Sequence, residues 1–427
     1  MGMAGILFGI LFLSLFIGVP IAISLGVAAS LTMMLTNNAQ YLASIPTRMF
    51  TQLDSFTLMA VPFFILAGNI MAEGGISDRL ISFFELLLKR LPGRLSCICV
   101  VASGFFGAIS GSNPATVAAI GGICAPKMIE KGYSREDAAA IAASSGTLGV
   151  VIPPSIPMVT YAVTASVSVT AMFEAGWIPG IMLIIGLCIG NMFWYKHCDS
   201  VDKTKYPVKV YVDRFVKAIL ALLMPIIILG GIYAGIFTPT ECSVVAAMYC
   251  VILAICLKRF NLKMLTKALK DTLASAGMAM CLCATGLVFN WVIVTSGLIG
   301  FMTNLLMSLG NKIIILLVLN AMLLFLGCFI GSMQILIMVA PLLMNLANAL
   351  GMTYVQMGVM AVLNVTLGLI TPPMAPALFV TAKATGNKFE TALKYTVQFL
   401  IPMFITLMIT AFWEPLTLWL PRFLGSM

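Results

Sequence analysis

The sequence GTLGVVIPPSIP at residues 146–157 returns as VTLGLITPPMAP at residues 365–376, and both copies lie inside long apolar runs. When the chain is displaced by 219 residues, eight of the 26 positions from 132 to 157 are identical, where composition alone gives roughly two. The segments GAISGSNP at 107–114 and GCFIGS at 327–332 match in the same way at an offset of 220. The sequence therefore predicts an internal duplication, which we divide into residues 1–212 and 213–427.

The composition is that of a polytopic membrane protein. The chain has 427 residues, of which 61% are hydrophobic and 9% are charged, whereas soluble domains carry about 25% charged residues. Apolar runs recur along the chain, and the first of them, Met3 to Leu35, is predicted to be one spanning helix. The net charge of +9 is concentrated in short loops at 196–217 and 258–270. Such loops are typical of a cytoplasmic membrane face rather than of a nucleic-acid-binding surface.

The basic loops also predict two re-entrant hairpins. KRLPGR (Lys89–Arg94) and PKMIEKGYSRED (Pro126–Asp137) both have the charge of a cytoplasmic loop, so the segment 95–125 between them must enter and leave on one side. The interruption at 107–114 leaves flanks that are too short to span a bilayer. Residues 313–345, interrupted at 327–332, are predicted to form the second hairpin.

The charges around the two proline motifs predict that the copies cross the membrane in opposite directions. Three basic residues precede the first motif and three follow the second: Lys127, Lys131 and Arg135, and then Lys383, Lys388 and Lys394. Inverted repeats with interrupted helices are typical of secondary transporters. The predicted fold class is an all-α polytopic membrane protein with inverted repeats, two re-entrant hairpins and two unwound transmembrane helices, at 138–163 and 355–382. Scaffold helices and an arm helix complete each repeat.

Each interruption is expected to form a cation site. Pro removes an amide donor and Gly tolerates unusual backbone conformations, so the motif leaves carbonyl oxygens without intrahelical partners. These oxygens, together with hydroxyls of the facing Gly-Ser segment, suit a hard cation such as Na⁺. The first predicted Na⁺ site consists of Ser110, Ser112, Gly149, Ile152 and Pro154. The second consists of Gly327, Gly331, Ser332, Gly368, Thr371 and Met374. The alternative, that the prolines merely kink helices, explains a lone Pro better than a duplicated motif.

The same region supplies candidates for substrate contact. The half-helices that follow the Gly-Ser segments present positive dipole ends, which suit a carboxylate. Polar contacts with substrate are predicted from Ser112, Asn113, Thr116 and Ser155. An enzyme is disfavoured, because the one histidine, His197, permits neither a His-based metal site nor a serine triad. Glu174 is interpreted as a solvated loop charge or, alternatively, as a contact for a partner protein.

Six stretches of sequence carry a family resemblance: VPFFILAGNIM, GSNPATVAAIGGI, GVVIPPSIPMV, TASVSV, AGWIPG and GGIYAGIFTPTE. Together they resemble the large membrane subunit of tripartite ATP-independent periplasmic (TRAP) transporters over nearly the whole chain. The resemblance implies a multi-pass transporter of the bacterial inner membrane that works by an elevator mechanism. It also implies coupling to at least two Na⁺ ions, held where the two hairpin tips face the two Pro-Pro breaks.

The resemblance further implies two partners and a substrate class. The partners are a small four-helix membrane subunit, expected as a separate chain, and a periplasmic substrate-binding protein. The substrate is a carboxylate such as sialic acid or a C4-dicarboxylate, and the sequence does not choose between them. A self-sufficient Na⁺/carboxylate symporter of similar hairpin fold, which needs no binding protein, stays open as the alternative. Membrane lipid is expected around the helices, and no nucleic acid.

Overall fold

The computed structural model describes residues 2–36, 38–199, 204 and 206–427, and every regular element in those residues is a helix. Part of the basic loop at 196–217 lies outside the described residues, as does the side chain of Lys383. The helices of the first half are α1 (Gly2–Phe16), α2 (Ile21–Leu35), α3 (Ser44–Leu53), α4 (Ala60–Glu73), α5 (Ile76–Leu87), α6 (Arg94–Ser110), α7 (Asn113–Thr116), α8 (Gly122–Glu130), α9 (Arg135–Gly146), α10 (Leu148–Val151), α11 (Ile156–Ala165) and α12 (Val169–Trp194). Those of the second half are α13 (Val208–Tyr233), α14 (Pro239–Cys256), α15 (Leu262–Thr295), α16 (Leu298–Met307), α17 (Lys312–Gly327), α18 (Ser332–Leu350), α19 (Tyr354–Gly368), α20 (Pro376–Thr385), α21 (Phe389–Phe412) and α22 (Pro415–Leu424).

Polar residues at helix starts set several of these boundaries. The Ser134 hydroxyl accepts a hydrogen bond from the Asp137 amide at the start of α9. Thr238 and Glu241 form a reciprocal capping box at the start of α14. Such caps satisfy amides that have no partner within the helix, so α9 and α14 begin where the sequence supplies a side-chain acceptor.

The first apolar run forms two helices and not one. α1 ends at Phe16 and α2 begins at Ile21. Between them Gly18 has a φ of 86°, and Pro20 has no amide with which to continue the helical hydrogen bonds. The prediction of a single spanning helix from Met3 to Leu35 is therefore wrong.

Eight helical segments in the described residues are long and apolar enough to cross a membrane. They are Phe56–Glu73, Arg135–Ala165, Val169–Trp194, Val208–Tyr233, Pro239–Cys256, Leu262–Thr295, Ser332–Leu350 and Phe389–Phe412. Large apolar side chains such as Phe16, Ile226 and Leu273 are exposed, as expected where helices contact lipid. The predicted all-α polytopic membrane fold is confirmed.

Packing divides the helices into two groups. The central group comprises α6 to α12 and α17 to α22, and the flanking group comprises α1 to α5 and α13 to α16. α9 packs against α6, α20 and α21, so Arg135–Ala165 is almost entirely buried inside the central group. The two groups meet mainly where α15 and α16 pack on α18 and where α4 and α5 pack on α6. The interrupted helices therefore lie at the centre of the molecule.

Both predicted hairpin segments bring their two ends together. Lys312, at the start of α17, donates a hydrogen bond of 3.2 Å to the Leu350 carbonyl at the end of α18. Arg94 and Lys131, near the ends of the first segment, line one cavity. These contacts agree with a chain that turns back on itself. The side of the membrane that each hairpin enters, and the repeat boundary between residues 212 and 213, stay predictions.

Candidate functional site

Each interrupted helix lies against the interruption of a predicted hairpin. The first break (residues 152–155) separates α10 from α11, and the first tip (residues 111–112) separates α6 from α7. The second break (residues 369–375) separates α19 from α20, and the second tip (residues 328–331) separates α17 from α18. The helix interruptions that the Pro-Pro and Gly-Ser patterns predict are thus present in both halves.

Two glycine pairs bring the hairpins and the interrupted helices into backbone contact. A Cβ atom placed on Gly107 would lie 2.6 Å from the Cα of Gly149. One placed on Gly327 would lie 3.0 Å from the Cα of Gly368. Spacings this short leave no room for a side chain, so the two backbones touch in both places. The pairs occupy equivalent positions of the predicted duplication, at offsets of 220 and 219.

Polar oxygens of the first hairpin gather against Gly149. The Ser110 and Thr116 hydroxyl oxygens lie 3.2 Å apart, and the Thr116 hydroxyl donates to the Ser112 carbonyl over 2.8 Å. A Cβ on Gly149 would lie 2.7 Å from that carbonyl oxygen and would overlap the Thr116 hydroxyl. We call Ser110, Ser112, Thr116 and Gly149 the first oxygen cluster. It joins three residues of the first predicted Na⁺ set with Thr116, a predicted substrate contact.

The prolines of the first break change the partners of two carbonyls. Pro153 has no N–H to donate to the Gly149 carbonyl, four residues before it. Pro154 likewise cannot donate to the Val150 carbonyl, which accepts instead from the Ser155 hydroxyl over 2.5 Å. The Gly149 carbonyl is therefore an acceptor that the helix itself leaves available, at the edge of the first oxygen cluster.

A backbone hydrogen bond joins the first tip to the first break. The Ile156 amide donates to the Gly111 carbonyl over 3.2 Å. Gly111 has a φ of 60°, and a Cβ there would lie 2.9 Å from the Pro154 carbonyl oxygen, so the turn requires glycine. Pro154 thus lies beside the tip. Ile152, also in the predicted set, directs its side chain toward Gly104 and Gly180.

The remaining predicted substrate contacts differ in exposure. Ser112 is half-buried, whereas Asn113 and Ser155 are buried. The Ser155 hydroxyl also accepts from the Met158 amide over 3.4 Å, so it caps α11. The Asn113 side-chain nitrogen has no hydrogen-bond partner among the described residues. Of these side chains, Asn113 therefore retains a donor for a ligand, while Ser155 is occupied within its own chain.

The second region is more exposed than the first, and its carbonyls accept hydrogen bonds from amides of the same segment. The Gly368 carbonyl accepts from the Thr371 amide over 3.1 Å, and the Thr371 carbonyl accepts from the Ala375 amide over 3.2 Å. The Thr371 hydroxyl donates to the Leu367 carbonyl over 2.7 Å. Met374 is 47% exposed, in contrast to the buried residues of the first break. These carbonyls are turned toward their own segment.

Tip and break are also less tightly joined in the second region. Of the second predicted set, Gly327 and Gly368 meet directly, while Gly331 and Ser332 begin α18 and are half-buried. Among the described residues, no hydrogen bond links the second tip to the second break. The position equivalent to Ile156 is Ala375, whose amide bonds to Thr371 instead. The two regions therefore have the same arrangement of tip and break, but only in the first are the two joined by a hydrogen bond.

Two buried amides, Asn320 and Asn364, lie outside the predicted site residues. Asn320 is on α17 and Asn364 on α19, and their side chains are hydrogen-bonded to each other. The signal that could have identified them is a polar amide within an otherwise apolar helix, which in a membrane protein usually contacts another helix.

Hydrogen bonds anchor the start of the interrupted helix α9 to both halves of the central group. Asp137 accepts from the Tyr195 phenol over 2.9 Å, and that phenol is also bonded to the Gln398 amide. Arg135 donates to the Thr385 carbonyl at the end of α20 over 3.3 Å. Burial, with Asp137 beside it, raises the pKa of Tyr195, so the phenol stays protonated and continues to donate.

Glu174 is buried rather than solvated. Its side chain lies within α12 and accepts a hydrogen bond of 2.8 Å from Ser426, near the chain terminus. The exposed fraction of Glu174 is 1%, because α22 packs over α12. The interpretation of Glu174 as a solvated loop charge is therefore wrong, and this carboxylate is not available as a surface contact.

Comparisons with known proteins show similarities that extend over most of the chain. Residues 8–416 match the family described as "Tripartite ATP-independent periplasmic transporter, DctM component". The sialic acid TRAP transporter large permease protein SiaM of Vibrio cholerae serotype O1 is 34% identical over 399 residues, which cover 93% of this chain and 93% of SiaM. The C4-dicarboxylate TRAP transporter large permease protein DctM of Pseudomonas aeruginosa is 36% identical over 402 residues, which cover 93% of each chain. The crystal structure of the Alcanivorax borkumensis YdaH transporter shares the fold, with a TM-score of 0.64 and 14% identity over 89% of this chain and 90% of that one.

Proposed function

The chain belongs to the DctM component family of tripartite ATP-independent periplasmic transporters, and we propose that it imports an organic acid by coupling its transport to Na⁺. As a member of this family it is a large permease protein, and it crosses the bacterial inner membrane several times. Its relatives are transporter permeases and not enzymes.

The first oxygen cluster is the observation that carries Na⁺ coupling. Two hydroxyls and the Ser112 carbonyl oxygen come together beside Gly149, within a part of the central group that is buried. A polar cluster inside a membrane protein is unfavourable unless its oxygens find partners. The cluster oxygens share two hydrogen bonds among themselves, and their remaining lone pairs suit a desolvated Na⁺ ion, which requires no carboxylate. We assign Ser110, Ser112, Gly149, Ile152 and Pro154 to this Na⁺ site, with Thr116 added.

A second Na⁺ is proposed between the second tip and the second break. Gly327, Gly331, Ser332, Gly368, Thr371 and Met374 are its assigned residues. Their carbonyls must exchange internal hydrogen bonds for the ion, because Thr371 and Ala375 amides now occupy two of them. Ion binding is therefore expected to rearrange this region, which lacks the hydrogen bond that closes the first one.

An elevator movement is consistent with the division into two helix groups. The central group contains both interrupted helices and both hairpin segments, so a substrate bound there would be carried as a unit past the flanking group. The predicted inverted repeat would supply a second arrangement that opens to the opposite side of the membrane, since exchanging the conformations of the two copies reverses the access. We propose this movement as the transport mechanism.

The proposed substrate is a carboxylate. The half-buried Ser112 and the unpaired Asn113 amide nitrogen lie at the first tip, where a helix begins. Amide donors and helix starts suit negatively charged oxygens. Relatives are named for sialic acid and for C4-dicarboxylates, and the oxygens described here do not select one of these. A small membrane subunit and a periplasmic binding protein, which the family implies, complete the proposed assembly.

Uptake by reconstituted protein tests the function. The chain and its small membrane subunit would be placed in liposomes, and radiolabelled organic acids would be offered with and without candidate periplasmic binding proteins. We expect uptake of one carboxylate that requires an inward Na⁺ gradient and the matching binding protein. Uptake that proceeds equally in K⁺ would exclude Na⁺ coupling. Uptake without any binding protein would favour the self-sufficient symporter.

A further inference from the structure

Asn320 and Asn364 form a polar link inside apolar surroundings. Asn320 lies in the sequence LLVLNAMLL of α17, and Asn364 lies in MAVLNVTLG of α19. Their exposed fractions are 4% and 0%. A buried amide is unfavourable without hydrogen bonds, so the arrangement of these two side chains constrains how the two helices pack.

The link uses several hydrogen bonds at once. The Asn364 side-chain nitrogen donates to the Asn320 carbonyl over 2.9 Å and to the Asn320 side-chain oxygen over 2.7 Å. The Asn320 side-chain nitrogen donates to the Leu316 carbonyl over 2.8 Å. Sliding either helix along the other would break the Asn364 bonds and leave a buried amide unpaired. The link therefore fixes the register of α17 against α19.

This register sets the contact at the second predicted Na⁺ site. Asn320 precedes Gly327 by seven residues and Asn364 precedes Gly368 by four, which places each amide on the same face as its glycine. A Cβ on Gly327 would lie 3.3 Å from the Val365 carbonyl oxygen, next to Asn364 in sequence. The amide link and the glycine contact therefore lie along one seam between α17 and α19.

The first copy has no such amide pair, and its tip is instead hydrogen-bonded directly to its break. The positions equivalent to Asn320 and Asn364 are Val100 and Ser145. Ser145 is buried, and its hydroxyl has no partner among the described residues. In that copy the Gly111 carbonyl joins the tip to the break directly. The amide link occurs in the copy whose tip and break are not hydrogen-bonded to each other.

We propose that Asn320 and Asn364 are positioning residues for the second Na⁺ site. They hold α17, the first helix of the second hairpin, in register with α19. The second tip remains free to move toward an ion at the second break. This inference rests on the proposed Na⁺ coupling. It assigns the role to two residues that touch neither the ion nor the substrate.

Leucine variants distinguish an effect of the two amides on Na⁺ binding from an effect on the stability of the protein. Asn364→Leu removes the donor to the Asn320 side-chain oxygen and leaves that buried oxygen without a partner, so we expect a lower melting temperature and at least a fivefold rise in the Na⁺ concentration that half-saturates uptake. The double variant Asn320→Leu, Asn364→Leu removes both amides, which should restore most of the melting temperature. The hydrogen bonds that fix α17 against α19 are still absent from the double variant. Its half-saturating Na⁺ concentration should therefore stay as high as that of Asn364→Leu. Gln356→Leu is the matched control: it removes a buried amide of α19 that faces Thr410 in α21, and should leave the Na⁺ requirement within twofold of the wild type.

Two outcomes would overturn the inference. One is a double variant whose half-saturating Na⁺ concentration equals that of the wild type. The other comes from hydrogen exchange without Na⁺, where residues 316–324 and 360–367 should exchange more slowly in the wild type than in the double variant. If these two segments exchange alike in both proteins, the amides do not hold the seam. Uptake by the wild type that does not depend on Na⁺ would instead overturn the proposed function, and the exchange result would then still show whether the pair holds α17 in register with α19.

Discussion

The hydroxyl oxygens of Ser110 and Thr116 lie 3.2 Å apart although the residues are six positions apart and on opposite sides of the first tip. Both residues are fully buried. Their contact closes the tip over Gly149, so the hairpin and the interrupted helix form one polar unit at the centre of the molecule.

Removing the Thr116 hydroxyl should weaken Na⁺ coupling. Thr116→Val keeps the shape of the side chain and deletes one oxygen of the first oxygen cluster. We expect about a tenfold rise in the half-saturating Na⁺ concentration, equivalent to about 1.4 kcal/mol, measured as uptake in liposomes. Thr164→Val deletes a hydroxyl that bonds within α11 and serves as the control. Equal Na⁺ dependence in both variants would exclude Thr116 from the ion site.

Adding a methyl group at Gly149 should disrupt the same contact. The new Cβ would lie 2.7 Å from the Ser112 carbonyl oxygen and would overlap the Thr116 hydroxyl. Overpacking of this kind costs about 1–3 kcal/mol, so Gly149→Ala should lower the melting temperature measured in detergent. At Gly122 a Cβ would meet nothing within 4 Å, so Gly122→Ala should be neutral or stabilising. A Gly149→Ala protein as stable and as active as Gly122→Ala would contradict the observed packing.

Ser155 allows capping to be separated from substrate contact. Because its hydroxyl caps α11 and bonds to the Val150 carbonyl, Ser155→Ala should destabilise the protein by about 1 kcal/mol. Ser168, which caps α12, gives a comparison with the same chemistry elsewhere. We expect both variants to lose stability and to keep the KM for substrate. A KM increase confined to Ser155→Ala would show that this hydroxyl does contact the substrate, as the sequence predicted.

A cross-link between the two helix groups should prevent the proposed elevator movement. A Cβ on Gly286 of α15 would lie 3.7 Å from the Ile337 Cβ of α18, a spacing that a disulfide accepts. In a background without the native cysteines, the oxidised pair Gly286→Cys, Ile337→Cys should block uptake, and a reductant should restore it.

The control for this cross-link lies within the flanking group. A Cβ on Gly26 would lie 3.9 Å from the Thr285 Cβ, so the pair Gly26→Cys, Thr285→Cys should form a disulfide without affecting uptake. Full transport by the oxidised Gly286→Cys, Ile337→Cys protein would contradict movement of the central group past α15.

The interruptions of the helices could be predicted from sequence, because they depend on local chemistry. Proline lacks an amide hydrogen and glycine adopts unusual φ values, so both interrupt a helix independently of distant contacts. The breaks before Ile156 and Pro376 therefore follow from the motif. The same chemistry at Gly18 and Pro20 divides the first apolar run, which hydrophobicity alone merged into one helix.

Contacts between distant segments could not be predicted in this way. Glu174 is buried because Ser426 and α22 return to cover it, 252 residues later in the chain. The Asn320 and Asn364 link joins helices whose relative register no local pattern specifies. The difference in closure between the two regions likewise depends on which acceptor the Ile156 and Ala375 amides find in the folded protein.

Equilibrium binding of ²²Na⁺ to the purified protein shows whether the first oxygen cluster is an ion site. We expect saturable binding of at least two ions by the wild type, and one ion fewer for the double variant Ser110→Ala, Thr116→Val, while Thr164→Val binds like the wild type. If the double variant retains the full number of ions at unchanged affinity, the first oxygen cluster is not a Na⁺ site.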